Sequence, residues 1–149
     1  IVAMLGAVVS QVTLNEHARN LSWALNDANR VMERIRQQNS GAGCATPSAA
    51  APVGFASWDA WLADTSVNGG GGKSIRPDPA TNEFIVLTTS GTDPLTMTVA
   101  VCWRHRNRVL GECSWAAGVL TPNEGLVVAN DTAAIDSPAM LSTVMTCRK

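Results

Sequence analysis

The sequence predicts an α+β fold in which a long N-terminal helix packs on an antiparallel β-sheet. Three observations carry this. Residues 1–39 contain no proline and one glycine, Gly6, and their apolar side chains recur at helical spacing. From Phe84 onward the pattern alternates with period two. Between the two lie stretches rich in Gly, Pro, Ala and Ser, which suit connections rather than regular elements. A helix followed by a run of strands is the order of an α+β domain.

The helix, residues 1–40 with its exit, has two characters. "IVAMLGAVV" is apolar all round, far shorter than the roughly 20 residues that span a bilayer. It lacks the basic start and small-residue cleavage site of a signal peptide. The absence of Met at position 1 suggests truncation or processing. Beyond it, Leu14, Ala18, Leu21, Leu25, Ala28, Met32 and Ile35 follow at alternating steps of four and three, a heptad stripe. A coiled coil competes for this stripe. Because the stripe is short and contains small Ala residues, packing against the chain's own sheet is expected. The other face carries acid–arginine pairs three residues apart: Glu16 with Arg19, Asp27 with Arg30, and Glu33 with Arg36. Arg34 and Arg36 suit the negative end of the helix dipole. "NSGAG" at 39–43 supplies a stop, with Gly41 or Gly43 able to take a positive φ.

Residues 41–149 form the expected head. A loop at 42–56 leads into "SWDAWLADT", where Ser57 can cap a short helix and Trp58, Trp61 and Leu62 share a face. A turn-rich connection, "SVNGGGGKSIRPDPATN", precedes the strands. "FIVLTT" is the first. "LTMTVAVCWR" sets Met97, Val99, Val101 and Trp103 on one face and Thr96, Thr98, Ala100 and Cys102 on the other. After a turn at "HRNR", "VLGECSWA" returns; "GLVVAN" and "AMLSTVMTC" are later strand candidates.

Several kinds of chemistry find no frame here. "NGGGGKS" has Val67 where a phosphate loop needs its first glycine, and no strand leads into it. "DPATNE" lacks the spacing and central glycine of a calcium loop. No nucleophile or zinc-protease motif occurs, and His17 and His105 complete no metal site with the cysteines. No catalytic residue, cofactor or metal is therefore expected. Arg104, Arg106 and Arg108 beside Trp103 form the strongest basic cluster and a candidate contact for phosphates, bases or another surface ligand. A net charge of −1 with 15% charged residues gives no general electrostatic pull on nucleic acid.

Four cysteines at wide spacing, Cys44, Cys102, Cys113 and Cys147, fit two disulfides and an oxidising compartment. If the strands pair symmetrically about the point between Asn107 and Arg108, Cys102 stands opposite Cys113 and leaves Cys44 for Cys147. The other two pairings, 44–102 with 113–147 and 44–113 with 102–147, stay open at this level.

This layout resembles the type IV pilins and pseudopilins. The stretch "NEHARNLSWALNDANRVMERIRQQNSG" is most similar to PilV-type minor pilins, in which an Ala/Leu-rich helix runs into an Glu-Arg-Ile/Met-Arg sequence followed by Asn, here Glu33-Arg34-Ile35-Arg36 and then Asn39. "TMTVAVCWRHR" is similar to that family's strand ending in Trp and a basic turn. The Phe start and the Glu at the fifth position of mature type IV pilins are not present. The resemblance implies that residues 1–12, with Ile1, Met4, Leu5, Val8 and Val9, are the lower end of a membrane and filament-core segment. It implies that Leu14, Leu21, Leu25, Met32 and Ile35 pack on the sheet. It further implies a non-enzymatic protein, anchored in the inner membrane before assembly and periplasmic or extracellular in a pilus afterwards. Its partners would be other pilins, with roles in pilus priming, adhesion or DNA uptake. A type II secretion pseudopilin and a pilus-tip ligand- or DNA-binding module are the alternatives.

Overall fold

The structure, a computed structural model, describes residues 2–75, 82–123 and 137–148. Helix α1 runs unbroken over Val2–Gln38. Asn39 ends it: its side-chain amide donates to the Ile35 carbonyl at 2.8 Å and to the Ser48 carbonyl at 2.8 Å, which also ties down the following loop. Gly41 then takes a φ of 113°. The short helix α2, Trp58–Ala63, starts as expected, with the Ser57 hydroxyl accepting from the Ala60 N–H at 3.1 Å. Trp58 and Trp61 meet edge to face at 5.4 Å, and each indole N–H finds a backbone carbonyl, of Ala49 and of Asn68.

Among the described residues six strands follow: β1 (Glu83–Ser90), β2 (Leu95–His105), β3 (Arg108–Leu110), β4 (Cys113–Ala116), β5 (Val119–Pro122) and β6 (Ala139–Met145). The long β2 is the spine of an antiparallel sheet. β1 pairs along one edge, while β6 and β3 share the other, β6 against Leu95–Val101 and β3 against Trp103–His105. The alternation of β2 is realised with Met97, Val99, Val101 and Trp103 all buried beneath α1 and α2. Its other face is covered as well. The β4–β5 hairpin folds over it, enclosing Val86, Ala100, Cys102, Cys113 and Leu120. The candidate strand "GLVVAN" lies outside the described residues.

The heptad stripe does not pack as a unit. Met32 and Ile35 are buried and Leu21 lies at the core's margin, but Leu14 is 67% exposed and Leu25 36%. Leu14 and Met32 lie 18 residues, or about five whole turns, apart and so share one side of the helix. Leu14 is exposed because it belongs to the turns of α1 beyond the head, and Leu25 because it stands at the margin of the buried side. The buried face is instead Asn20, Ala24, Asp27, Ala28, Val31, Met32 and Ile35. Asp27, expected on the solvated face, is fully buried. It accepts from the Ser74 N–H at 2.8 Å and the Ser74 hydroxyl at 2.6 Å, and pairs with Arg30. Arg30 in turn donates to the carbonyls of Gly70 and Gly72 at 2.6 and 2.7 Å. The Gly-rich loop is thus laced to α1 by its carbonyls. A Cβ on Gly70 would stand 2.8 Å from the Leu62 Cα, so the close approach of loop to α2 requires glycine there.

The disulfides are Cys102–Cys113 and Cys44–Cys147. The strands beside the first do not pair in the expected register. Trp103 faces Leu110 and His105 faces Arg108, so the turn is centred between Arg106 and Asn107, one residue earlier than assumed. Extending that register puts Gly111 opposite Cys102, and a Cβ there would lie 3.0 Å from the Cys102 Cβ. With φ at 94°, Gly111 bends the chain so that Cys113 can reach back over this gap. The second bond fastens the end of the chain to the exit of α1, beside a parallel bridge between Ser40 and Arg148.

Candidate assembly helix and basic turn

Among the described residues, the head leaves the first turns of α1 exposed. Val2, Met4, Leu5, Val8, Val9 and Val12 are all exposed, Val2 at 86%. The side chain of Ile1 lies outside the described residues. At 1.5 Å per residue, Val2 to Glu16 projects about 20 Å beyond the head. Among the described residues no helix is long and apolar enough to cross a membrane. An apolar rod of this kind, surrounded by solvent, is an association surface.

The head first meets α1 at the tip of the β2–β3 hairpin. Arg106 and Asn107, both with positive φ, make a two-residue turn. Such turns match the twist of the flanking strands. Arg106 donates to the Glu16 carboxylate from Nε at 3.1 Å and from Nη2 at 2.9 Å. His105 Nε2 lies 3.6 Å from the same oxygen, and His105 Nδ1 sits 3.2 Å from the amide nitrogen of the buried Asn20. Glu16 therefore serves the hairpin and not Arg19, its expected partner. Arg19 lies over the Trp23 ring at 4.9 Å. Arg104 stacks on Trp115 at 4.1 Å and donates to Asn107 at 2.6 Å. Arg108 is exposed and makes no ion pair among the described residues. A pocket of about 350 Å³ opens between helix and hairpin, lined by Glu16, Arg19, Asn20, Arg104, His105 and Arg106, among others. The parts played by Glu16, Asn20, Trp23 and Trp115 were not visible in the sequence. The partners of Glu16 and Asn20 lie 90 and 85 residues away, beyond any local pattern.

A second polar group lies deep inside. Lys73 donates to the Asp59 carboxylate at 2.9 Å and to the Glu83 carbonyl at 2.7 Å. The lysine of "NGGGGKS" is thus consumed within the head, and the carbonyls of its loop face Arg30. Both features suit a structural clasp and not a phosphate cradle. Glu83 is buried against Asp27, and burial together with that neighbour pushes its carboxyl up to about 9. Protonated at neutral pH, it donates to Asp27. Burial pulls Asp27 upward too, but hydrogen bonds from Glu83, Ser74 and Arg30 outweigh it and hold Asp27 below the usual carboxylate range. Among the described residues, no group of three or more His, Cys, Asp or Glu is placed to hold a metal ion.

Compared with protein-family models, curated proteins and solved structures, the chain finds no significant match.

Proposed function

We propose that this protein is a filament-assembly subunit of the type IV pilin and pseudopilin kind, nearest in layout to the PilV-type minor pilins. The observation that carries the reading is the start of α1: apolar on every side, exposed, and continuous with a helix whose second half is locked to the head. A helix of this build solves two packing problems at once. Its lower turns meet lipid before assembly and neighbouring helices afterwards; its upper turns hold the head. The head is then displayed outside for pilus initiation, adhesion or DNA uptake. A tip module that binds ligand through the arginine turn alone finds less support, because it leaves the exposed apolar start of α1 without a role.

The test is incorporation into surface filaments by the cells that make the protein. Val8→Asp should remove the chain from sheared filaments, while Val53→Asp, at a fully exposed head position, should leave incorporation unchanged. Equal incorporation of the two variants would refute the proposal.

A further inference from the structure

The basic turn and the apolar rod meet at one level of the molecule. Contacts of Glu16 with Arg106 and of Asn20 with His105 fix the hairpin tip at the point where α1 leaves the head. Arg19 lines the same pocket, and Arg108 closes the turn. Among the described residues, the collar so formed has four arginines against one glutamate, three positive charges in excess, in a chain whose net charge is −1. Two of the collar's arginines lie on indole rings, Arg19 on Trp23 and Arg104 on Trp115, and both tryptophans are half-buried. An indole with one side on protein and one on water is the side chain that settles at a membrane interface. Below the collar, Val2 to Val12 rises about 15 Å, close to the depth of one hydrocarbon leaflet.

We infer that the collar is a lipid-headgroup surface: it seats the base of the head on an anionic bilayer, with the start of α1 inserted beneath it. Charge complementarity selects the occupant. Arginines held beside tryptophans, directly above an apolar rod, match a phosphate layer above hydrocarbon. A nucleic acid would satisfy the charge but leave the apolar rod in water. The inference goes beyond filament assembly and does not need it, since a chain that formed no filament would still bind in this way.

The experiment is flotation of the 149-residue chain with vesicles of phosphatidylcholine alone and of phosphatidylcholine with phosphatidylglycerol, across a salt series. Binding should be tighter to the anionic vesicles and should weaken with salt. Arg19→Gln and Arg108→Gln, which leave the Glu16–Arg106 contact intact, should each weaken anionic binding about fivefold at low salt, and the pair about 25-fold. Neither should alter binding to phosphatidylcholine. Val8→Asp with Val9→Asp should reduce binding to both vesicles. Equal affinity for the two vesicle types would overturn the inference, as would indifference to the double arginine change. A DNA duplex bound more tightly than anionic vesicles at the same salt, with the same arginine dependence, would also overturn it and assign the collar to nucleic acid. Vesicle binding as described, without filament incorporation, would refute the assembly proposal and leave this one standing.

Discussion

Glu83 and Asp27 put two carboxyl groups side by side in the dry interior, and one proton between them keeps the arrangement neutral enough to persist. The consequence for stability has a definite sign. Glu83 in the folded chain holds a proton that the unfolded chain releases at its ordinary carboxylate pKa. Its contribution is therefore complete below that value and is lost as pH rises towards about 9. Asp27 works in the opposite sense: its contribution is present above the ordinary carboxylate range and is lost as acid brings the pH down through its lowered pKa. Glu83→Gln keeps a neutral donor towards Asp27 and cannot ionise. Urea denaturation over a pH series should show the variant losing less stability than wild type between pH 5 and about 9. Identical slopes in that window would contradict the shared proton. Apolar positions on α1 also separate at this scale. Ile35→Ala should cost about 2–5 kcal/mol, as expected for a closed core site. Leu25→Ala, at a position 36% exposed, should cost about 1 kcal/mol or less. Thermal melts of the two compare them directly, and equal losses would contradict the burial pattern.

Elements were legible where one local rule governed them. The length of α1, its stop at Asn39, the Ser57 cap of α2, and strands β1, β2 and β6 follow from periodicity and end signals in the sequence. Which face of α1 turns inward did not follow, because the apolar stripe is only one margin of it: the rest is Asn20, Ala24, Asp27 and Val31, too small or too polar to stand out. Asp27 misled for a different reason. A carboxylate three residues from an arginine looks solvated until a distant loop, through Ser74, brings donors to it. The split of "VLGECSWA" into β3 and β4 hinges on Gly111, and β5 closes a second layer that the sequence reading did not anticipate. The candidate surface was legible in part: the apolar start and the arginine turn stand out, but their meeting at Glu16 is a tertiary fact. The disulfides bear on elements too. Cys44–Cys147 closes a separation of 103 residues, so removing it by a double Ser substitution should cost roughly 4–5 kcal/mol at most. Cys102–Cys113 spans 11 residues and should cost less when removed in the same way. Non-reducing peptide mapping should recover these two linked pairs, and a linkage of Cys113 to Cys147 would contradict the fold of the β4–β5 layer.

At the scale of the whole molecule, the chain divides its labour along α1. From Asn20 upward the helix is part of a head closed by two hydrophobic clusters and two disulfides. The start of the helix, Val2 to Val9, is an apolar rod exposed beyond the described part of the head. That division is the central claim, since both the assembly reading and the lipid-headgroup inference depend on a rod that needs partners. Light scattering at rising protein concentration tests it most directly, comparing the full chain with one that begins at Val12. The account predicts that the full chain associates and that the shortened chain stays monomeric while keeping its melting transition. Two chains equally monomeric at high concentration would contradict it.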